Sequence, residues 1–412
     1  MQPRRVALDP HALPGVVAAL ARAGRSIAWL DGDGSEPLGR FSFVGIGALR
    51  ILHTWDDVRR ALDAMTKVGD ESWPRATIAL GYDLAWSMRI GLRKPQRLPR
   101  TPAAWLLEHD ATLVVDHVAN EAWTRGDFPL EMAAIPHARL DRIEAESRAV
   151  HREAIAAALE AITRGDVYQV NLARRFTATL QGDSLALALA MREASPVPLG
   201  AYVRGPEGAL IARTMERFLS FDACTRRLET RPIKGTRAGS GDDVVRSLLT
   251  DEKERAEHAM IVDLMRNDLG RLAVPGTVNV RELMRIEPYA RLSHMVSIVE
   301  ARAKDEHSIG TILDATFPPG SVTGAPKLAA IERIEASERF ARGFYTGAIG
   351  HVGRDGSLSL AVSIRTAQVR GADVTYFAGG GIVEASDPDR EVDETELKAR
   401  VLYDAAEILG RT

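Results

Sequence analysis

Short apolar runs dominate the first part of the chain, and longer stretches with helical spacing appear in the second. Residues 1–125 hold runs such as GRFSFVGIGALRIL, TIALGYDL and ATLVVDHV between glycine and proline turns, which predicts strands. Residues 125–145 are polar and irregular, and we interpret them as a connection. From residue 144 onward, SRAVHREAIAAALEAITRGD has helical spacing, with Gly165 at the end of the predicted helix.

The remaining sequence alternates strand-like and helix-like stretches. The strand-like runs are VNLARRFTATL, GALIAR, RFLSFDA, SLSLAVSIRTAQV and DVTYFAGGGIV, and the helical stretches are DDVVRSLLTDEKERAEHAMIVDLMRNDLGRL, GAPKLAAIERIEASE and DETELKARVLYDAAEIL. Many strands follow one another with short turns, so the pattern predicts an α+β chain rich in antiparallel sheet. We expect the two parts of the chain to share one core.

Composition narrows the class of protein. The 412 residues carry a formal net charge of −3 with both signs mixed, which excludes the basic footprint of a nucleic-acid-binding protein. Cys224 is the sole cysteine, so no disulfide forms within the chain. The N-terminus lacks the apolar core of a signal peptide, and no apolar run approaches the ~20 residues of a membrane span. We expect a cytoplasmic protein without a nucleic-acid or membrane partner.

Two acidic pairs are candidates for a metal site. Glu254 and Glu257 are three residues apart in one predicted helix, and Glu391 and Glu394 repeat the spacing in another, so each pair shares a helix face. Mg²⁺ takes one or two protein carboxylates and keeps positions for water and substrate. Solvated acidic helix faces explain the same spacing, and the sequence alone leaves both interpretations open.

Three loops are candidates for substrate contacts. In RPIKGTRAGS, Lys234 lies between Pro232 and Gly235, where it is either an exposed loop lysine or a nucleophile. FPPGSVTGAPK places a small-residue turn before a helix whose N–H groups could hold an anion. AGGGIVE follows a predicted strand with three glycines, which permit close backbone approach to a ligand, but it lacks a dinucleotide-binding fingerprint.

In order along the chain, these motifs resemble the chorismate-utilising family. The series is PIKGTR, DEKERAEHAMIVDLMRND, RLSHMVS, FPPGSVTGAPK, FYTGAIG, IRTA and GGGIV followed by ETELK. The family includes the large subunits of anthranilate synthase and aminodeoxychorismate synthase, and the isochorismate and salicylate synthases. The resemblance is dense over residues 165–410. It implies one large α+β unit over residues 1–412, with an N-terminal subregion at 1–125 and the chorismate-binding region at 145–412.

The resemblance implies two packed antiparallel β-sheets with outer helices, and a deep site between them. It implies Mg²⁺ bound by Glu257 and Glu394, with Glu254 and Glu391 close by. The remaining implied positions are His294 near the reacting ring, Glu216 as general acid, and substrate contacts at Thr236, Ser321, Tyr345, Arg365, Lys398 and the backbone of Gly379, Gly380 and Gly381. Around Glu216 the family has Ser-Pro where this chain has Thr214-Met215, so the loop could lie differently here.

Two positions distinguish branches of the family. Where the water-using synthases have a lysine base, this chain has Gln169, which indicates the ammonia-using branch. Anthranilate synthases usually have PIAGTR where this chain has PIKGTR, so Lys234 favours attack at C2 of chorismate and amination at C4. We expect Mg²⁺ and Arg237 to favour the neutral amine of Lys234 by repulsion.

The predicted reaction converts chorismate and ammonia to 4-amino-4-deoxychorismate, a precursor of p-aminobenzoate and folate. Cys224 lies in DACTRR, without the glycine-flanked turn of a glutaminase nucleophile, so we expect a separate glutamine amidotransferase subunit in a heterodimer. Two alternatives stay open: an anthranilate synthase, which places nitrogen at C2 and releases pyruvate, and a non-catalytic chorismate-binding partner with the same fold.

Overall fold

The computed structural model describes residues 2–65, 68–69, 73–88, 92, 103–239, 241–289 and 292–411, without the side chains of residues 236, 238, 289 and 292. Its helices are α1 Leu13–Arg22, α2 Trp55–Asp63, α3 Ala85–Met88, α4 Arg148–Thr163, α5 Ser184–Ala194, α6 Asp242–Thr250, α7 Glu252–Gly270, α8 Ile309–Thr316, α9 Lys327–Ser337 and α10 Pro388–Leu409. Short 3₁₀ turns lie at Pro10–Ala12, Tyr82–Leu84 and Gly320–Val322.

The strands of the described residues are β1 Arg4–Val6, β2 Ile27–Asp31, β3 Phe41–Leu52, β4 Pro74–Leu80, β5 Ala104–Asp116, β6 Glu121–Arg125, β7 Ala138–Ala145, β8 Gln169–Gly182, β9 Leu199–Gly205 and β10 Gly208–Thr214. They continue with β11 Arg217–Phe221, β12 Arg227–Arg231, β13 Ile233–Ala238, β14 Asn279–Tyr289, β15 Leu292–Arg302, β16 Gly324–Ala325, β17 Ala348–Gly353, β18 Leu358–Val362, β19 Thr366–Arg370 and β20 Asp373–Ile382.

Strand β5 joins two halves of one antiparallel hydrogen-bonded network. It pairs with β3 over its length, while residues 104–108 of its other edge pair with β4 and residues 112–116 pair with β6. The first half has the order β6–β5–β3–β2–β9–β10–β19–β20–β8–β7. The second has the order β5–β4–β17–β18–β11–β12–β15–β14. The predicted pair of packed sheets is therefore two halves of one continuous network.

Side-chain alternation explains the layers. On β2, Ile27 and Trp29 pack in a core formed with helices α1, α5 and α10. Ala28, between them in sequence, packs in a smaller core with Ala79 and Ile349 of the second half. A third core packs the outer face of the second half against α2, α7 and α8. The small core thus lies between the two halves, and the helices cover their outer faces, as predicted.

Several predicted boundaries need correction. The predicted helix at 242–272 is two helices, because the Asp251 side chain accepts the backbone N–H of Glu254 (3.0 Å) and caps a new helix, α7. Residues 125–145 are not only a connection, since β7 pairs there with β8. Helices α1, α2, α3, α5 and α8 were not predicted. Gly165, at φ +79°, follows the cap residue Arg164 of α4.

The termini of two helices bear on the site. The Asp387 side chain accepts two backbone N–H groups at the start of α10, and this cap fixes where the helix begins beside the glycine run of β20. Helix α7 packs against β13 and β15.

Among the residues that the structure describes, no helix has the length and apolar character to cross a bilayer.

Candidate active site

The strand pairs β10–β19 and β11–β18 meet end to end, and ladder pairing is interrupted between them. In the gap, the backbone N–H of Arg213 donates to the carbonyl of Arg365 (3.1 Å). The N–H of Val362 donates to the carbonyl of Glu216 (2.9 Å). The interruption therefore places Arg365 and Glu216 at facing bends of the chain, away from regular pairing.

Arg365 is a partly buried cation whose guanidinium has no hydrogen-bond or ion-pair partner among the residues that the structure describes. Its φ is +49°, a left-handed conformation that costs a non-glycine residue about 1–2 kcal/mol. Within the described residues its guanidinium has no carboxylate at ion-pair distance and no hydrogen-bond acceptor. Burial lowers the pKa of Arg365, and the nearby Tyr376 opposes this, but an arginine stays charged in proteins. An unpaired guanidinium in this position suits a carboxylate ligand.

The glycine run of β20 leaves room for side chains from other elements. A Cβ on Gly381 would lie 2.4 Å from Glu257 Oε1 and 2.3 Å from Gln169 Nε2. A Cβ on Gly379 would lie 3.0 Å from the Tyr345 phenol oxygen. These are closer than real Cβ contacts, so the glycines are needed for space. Successive N–H groups of a strand point to opposite edges, so the three predicted backbone donors of Gly379, Gly380 and Gly381 cannot all face one ligand.

Lys234 lies in a cluster with Glu257 and Gln169 beside the glycine run. Its Nζ is 2.5 Å from Glu257 Oε1, the atom that also accepts Gln169 Nε2 at 2.8 Å. A break in the register of β13 at Gly235, with φ +67°, directs the lysine inward. The motif PIKGTR thus brings a lysine to the carboxylate of α7, beside the glycine run.

Without a metal, the charges around Lys234 favour its ammonium form. Burial alone would lower its pKa, but the attraction of Glu257, followed by Glu216 and Glu394, outweighs burial and raises it. Arg237 pairs with Asp251 (2.7 Å). The expectation of a neutral amine concerned the site with Mg²⁺ bound, and it stays a prediction.

The predicted metal carboxylates approach one another around the glycine run, and each has a cationic partner. Glu391 Oε2 and Glu394 Oε1 would lie 3.2 and 3.7 Å from a Cβ on Gly380, and the charges of Glu257 and Glu394 both act on Lys234. The partner distances are Lys234–Glu257 at 2.5 Å, Lys398–Glu394 at 2.5 Å, Lys253–Glu391 at 3.3 Å and Arg237–Glu254 at 3.6 Å.

These oxygen donors fit a hard cation such as Mg²⁺, which needs only one or two carboxylates from the protein. Among the described residues, however, no three histidine, cysteine or acidic side chains stand at metal-binding spacing. Glu391 also accepts the Ser386 hydroxyl at 2.7 Å. A cation would therefore have to displace lysines from Glu257 and Glu394.

Glu216 is a buried carboxyl beside Ser321 and Lys234. Burial raises its pKa to about 7, although a hydrogen bond with Ser321 and the charge of Lys234 act in the opposite direction. It is 5% exposed. A carboxyl with this pKa can hold a proton at neutral pH and donate it. The Thr214-Met215 sequence before it does not move Glu216 away from the cluster.

His294, Tyr345 and Lys398 complete the candidate site. Burial, with a smaller effect of Arg365, lowers the pKa of His294 to about 4, so its imidazole is neutral at pH 7. Tyr345 stacks on Phe377 with ring centroids 5.2 Å apart, and burial raises the pKa of its phenol. Lys398 Nζ donates to the carbonyl of Gly379 at 2.8 Å.

One predicted contact lies outside the description, and several functional neighbours were missed. The backbone of Thr236 pairs with that of His294, but its side chain is not among the described residues. Sequence analysis did not identify Lys253, Ser386 or Arg342. For Lys253, its position one residue before Glu254 on an acidic helix was the available signal.

Two open cavities, of about 830 and 420 Å³, are lined by residues other than the predicted site residues.

The fold and site define a class. Residues 48–404 match the family of chorismate binding enzymes, and the chain belongs to this family. It is a chorismate-utilising enzyme with the mixed helical and antiparallel fold of that family.

The similar proteins carry two different names. The chain is 34% identical to anthranilate synthase component 1 of Thermus thermophilus, over 90% of this chain and 89% of that protein. It is 37% identical to aminodeoxychorismate synthase component 1 of Klebsiella aerogenes, over 72% of this chain and 69% of that protein. The match to the Escherichia coli aminodeoxychorismate synthase component 1 is 40% identical and spans 53% of that protein.

Two solved structures have the same fold. Anthranilate synthase component I from Streptococcus pneumoniae superposes with a TM-score of 0.77 at 26% identity, covering 89% of this chain and 92% of that one. The menaquinone-specific isochorismate synthase from Escherichia coli superposes with a TM-score of 0.76 at 19% identity, covering 98% and 95%. The second likeness concerns the fold alone. The names of the more similar proteins divide between anthranilate synthase and aminodeoxychorismate synthase, so the reaction has to be argued from the site.

Proposed function

We propose that the enzyme aminates chorismate at C4 to give 4-amino-4-deoxychorismate, the reaction of an aminodeoxychorismate synthase component 1. The observation that carries the proposal is the position of Lys234. Its Nζ lies 2.5 Å from Glu257 and close enough to Glu216 for their charges to interact, so a nucleophile and an acid share one cluster. The position of Gln169 supports ammonia over water, because an amide cannot act as a base at neutral pH.

In the proposed binding mode, opposite ends of chorismate meet different groups. The unpaired guanidinium of Arg365, with the Tyr345 phenol, binds the enolpyruvyl carboxylate. Glu257 and Glu394 would hold Mg²⁺ near the ring carboxylate, with Glu254 and Glu391 supporting. When bound, the metal would supply positive charge to that carboxylate. Lys398, freed from Glu394, would lie beside the same end of the substrate.

The proposed chemistry has two displacements. The Lys234 ammonium, released from its ion pair, loses its proton to solvent, and the free amine forms a bond to C2. Both conjugated ring double bonds shift and the C4–O bond breaks, while Glu216 donates its proton so that water leaves. Ammonia then forms a bond to C4, both double bonds shift back, and the C2–N bond breaks to release Lys234 as the neutral amine. His294, neutral at this pH, lies close to Arg365 and can accept a hydrogen bond near the ring.

We infer that a separate glutamine amidotransferase subunit supplies the ammonia and that the product serves p-aminobenzoate and folate synthesis. The support is indirect: within the described residues, Cys224 is exposed and is not part of the candidate site. Free ammonium at high concentration should replace the partner in an assay.

The second candidate is an anthranilate synthase, in which ammonia attacks C2 directly and pyruvate is released. It is favoured by the similarity to the Thermus thermophilus protein, which extends over 90% of this chain. The two candidates differ in whether nitrogen ends at C4 or C2, and the products differ in colour and fluorescence.

The test incubates the purified chain with chorismate, Mg²⁺ and an ammonium salt, and separates the products by chromatography. We expect 4-amino-4-deoxychorismate, which an added aminodeoxychorismate lyase turns into p-aminobenzoate. Lys234→Ala should lower the rate by at least about 10²-fold, since the nucleophile is removed, whereas Lys304→Ala, outside the candidate site, should not. Fluorescent anthranilate without the lyase would instead establish the second candidate, and an undiminished Lys234→Ala rate would refute the covalent step.

A further inference from the structure

Arg342 is a buried arginine that does not reach the substrate space. It lies between α9 and β17 and is 1% exposed. A guanidinium has five N–H donors, and here each has an acceptor. Nε and Nη2 each donate a hydrogen bond to the Glu338 carboxylate (2.9 and 2.6 Å). The second N–H of Nη2 donates to the Asn171 carbonyl (2.7 Å). Nη1 donates to the Val322 carbonyl (3.2 Å) and the Thr346 hydroxyl (3.0 Å).

Three of these acceptors are neighbours of candidate site residues. Val322 follows Ser321 in the turn before α9, Thr346 follows Tyr345, and Asn171 of β8 is the pairing partner of Gly381 in β20. One planar group therefore connects three chain segments that come from distant parts of the sequence.

Aromatic contacts add a direct link to Tyr345. The Arg342 Cζ lies 4.7 Å from the ring centre of Tyr82 and 5.8 Å from that of Tyr345, distances at which cation–π attraction operates. The Thr346 hydroxyl also donates to the Tyr345 carbonyl at 2.6 Å. Both the ring and the backbone of Tyr345 are thus held by Arg342 and Thr346.

We propose that Arg342 is a positioning residue that sets the spacing of three substrate-binding segments: the Ser321 turn, Tyr345 and the glycine run at Gly381. The inference rests on the proposed function, because it assumes that these segments bind chorismate. Lysine cannot replace Arg342, since an ammonium has three donors on one atom and cannot reach five acceptors arranged around a plane.

The test compares Arg342→Lys with Arg226→Lys. Arg226 is partly buried, and its side chain donates to the carbonyls of Lys304 (2.5 Å) and His307 (2.7 Å), neither of which belongs to the site. Both variants should lose thermal stability. Only Arg342→Lys should raise KM for chorismate, by about tenfold or more, because small displacements of binding groups weaken substrate binding strongly. Equal KM values for the two variants would overturn the inference.

A milder pair keeps the test decisive should Arg342→Lys not fold. Thr346→Ala removes one acceptor beside Tyr345, and Thr346→Ser keeps the hydroxyl. We expect KM to rise severalfold in Thr346→Ala and to stay near the native value in Thr346→Ser, and equal effects would refute the positioning role. Calorimetric titration with chorismate separates the two hypotheses: binding without aminated product would sink the proposed function, while the comparison of variants would still report on Arg342.

Discussion

At the scale of single residues, Gly381 shows how little space the site has to spare. Gly381→Ala would place a methyl carbon against the ends of the Glu257 and Gln169 side chains. Both can move, so the fold should survive, but the Lys234–Glu257 pair would be displaced. We expect kcat/KM to fall by about 10²-fold with a small change in melting temperature. Gly270→Ala is the control, since nothing lies within 4 Å of its added carbon, and a similar loss there would contradict the steric argument.

The buried Glu216 predicts a pH-dependent stability. Its pKa is about 7 in the folded chain, against an ordinary value of 4.5. Between these values the folded state binds one more proton than the unfolded state, so stability falls as pH rises through this window. Glu216→Gln should remove this dependence. Relative to the native protein, the free energy of unfolding of the variant should rise by about 3 kcal/mol at most between pH 5 and pH 8. Urea unfolding at several pH values measures it, and exposed Glu306→Gln should show a flat difference.

At the scale of elements, Lys327 holds the turn before α9 in place. Its ammonium bonds the Asp268 carboxylate of α7 and the carbonyls of Thr316 (2.8 Å) and Pro318 (3.0 Å), and it is 9% exposed. Lys327→Met would remove the lysine that neutralises the buried Asp268 carboxylate, so we expect a loss of about 3 kcal/mol in the free energy of unfolding.

A double variant checks the Lys327 prediction. Adding Asp268→Leu removes the buried carboxylate that faced Lys327, and the double variant should regain part of the stability that Lys327→Met loses. Denaturant unfolding of the two variants and the native protein is sufficient. A double variant less stable than Lys327→Met would contradict this account, and would place the stabilising contribution of Asp268 in its other contacts.

The same elements show what a sequence can predict about a site. The spacing of Glu254 and Glu257 and of Glu391 and Glu394 predicted two helix faces, and both helices are present as α7 and α10. The periodicity could not reveal the lysines opposite these carboxylates, because Lys234, Lys253 and Lys398 come from three different segments and meet them only through tertiary packing. The pair with Glu257 favours the ammonium form of Lys234 in the protein without a metal.

At the scale of the molecule, local patterns predicted the antiparallel class, and the family resemblance implied the outer helices. The patterns missed α1 and α5, whose alanine-rich, apolar faces are buried against the first half of the sheet and so lack a polar face. Neither source predicted that the two sheets share β5, because this sharing depends on pairings between residues far apart in sequence. Arg342 was missed for a similar reason: its five acceptors lie on four segments, and nothing in RGFYTGAIG reveals them.

The sharing of β5 has a consequence for synthesis on the ribosome. Strand β4 is synthesised early, but one of its two partner strands is β17. Leu80 therefore cannot pair with Ala348 until that part of the chain has been synthesised. At ordinary translation rates of roughly 5–20 residues per second, that delay is on the order of 10 to 60 s. During this time the nascent chain carries an apolar strand with an open edge, a liability for aggregation. Chaperone dependence, more than intrinsic stability, should therefore limit the yield of this enzyme when it is produced quickly.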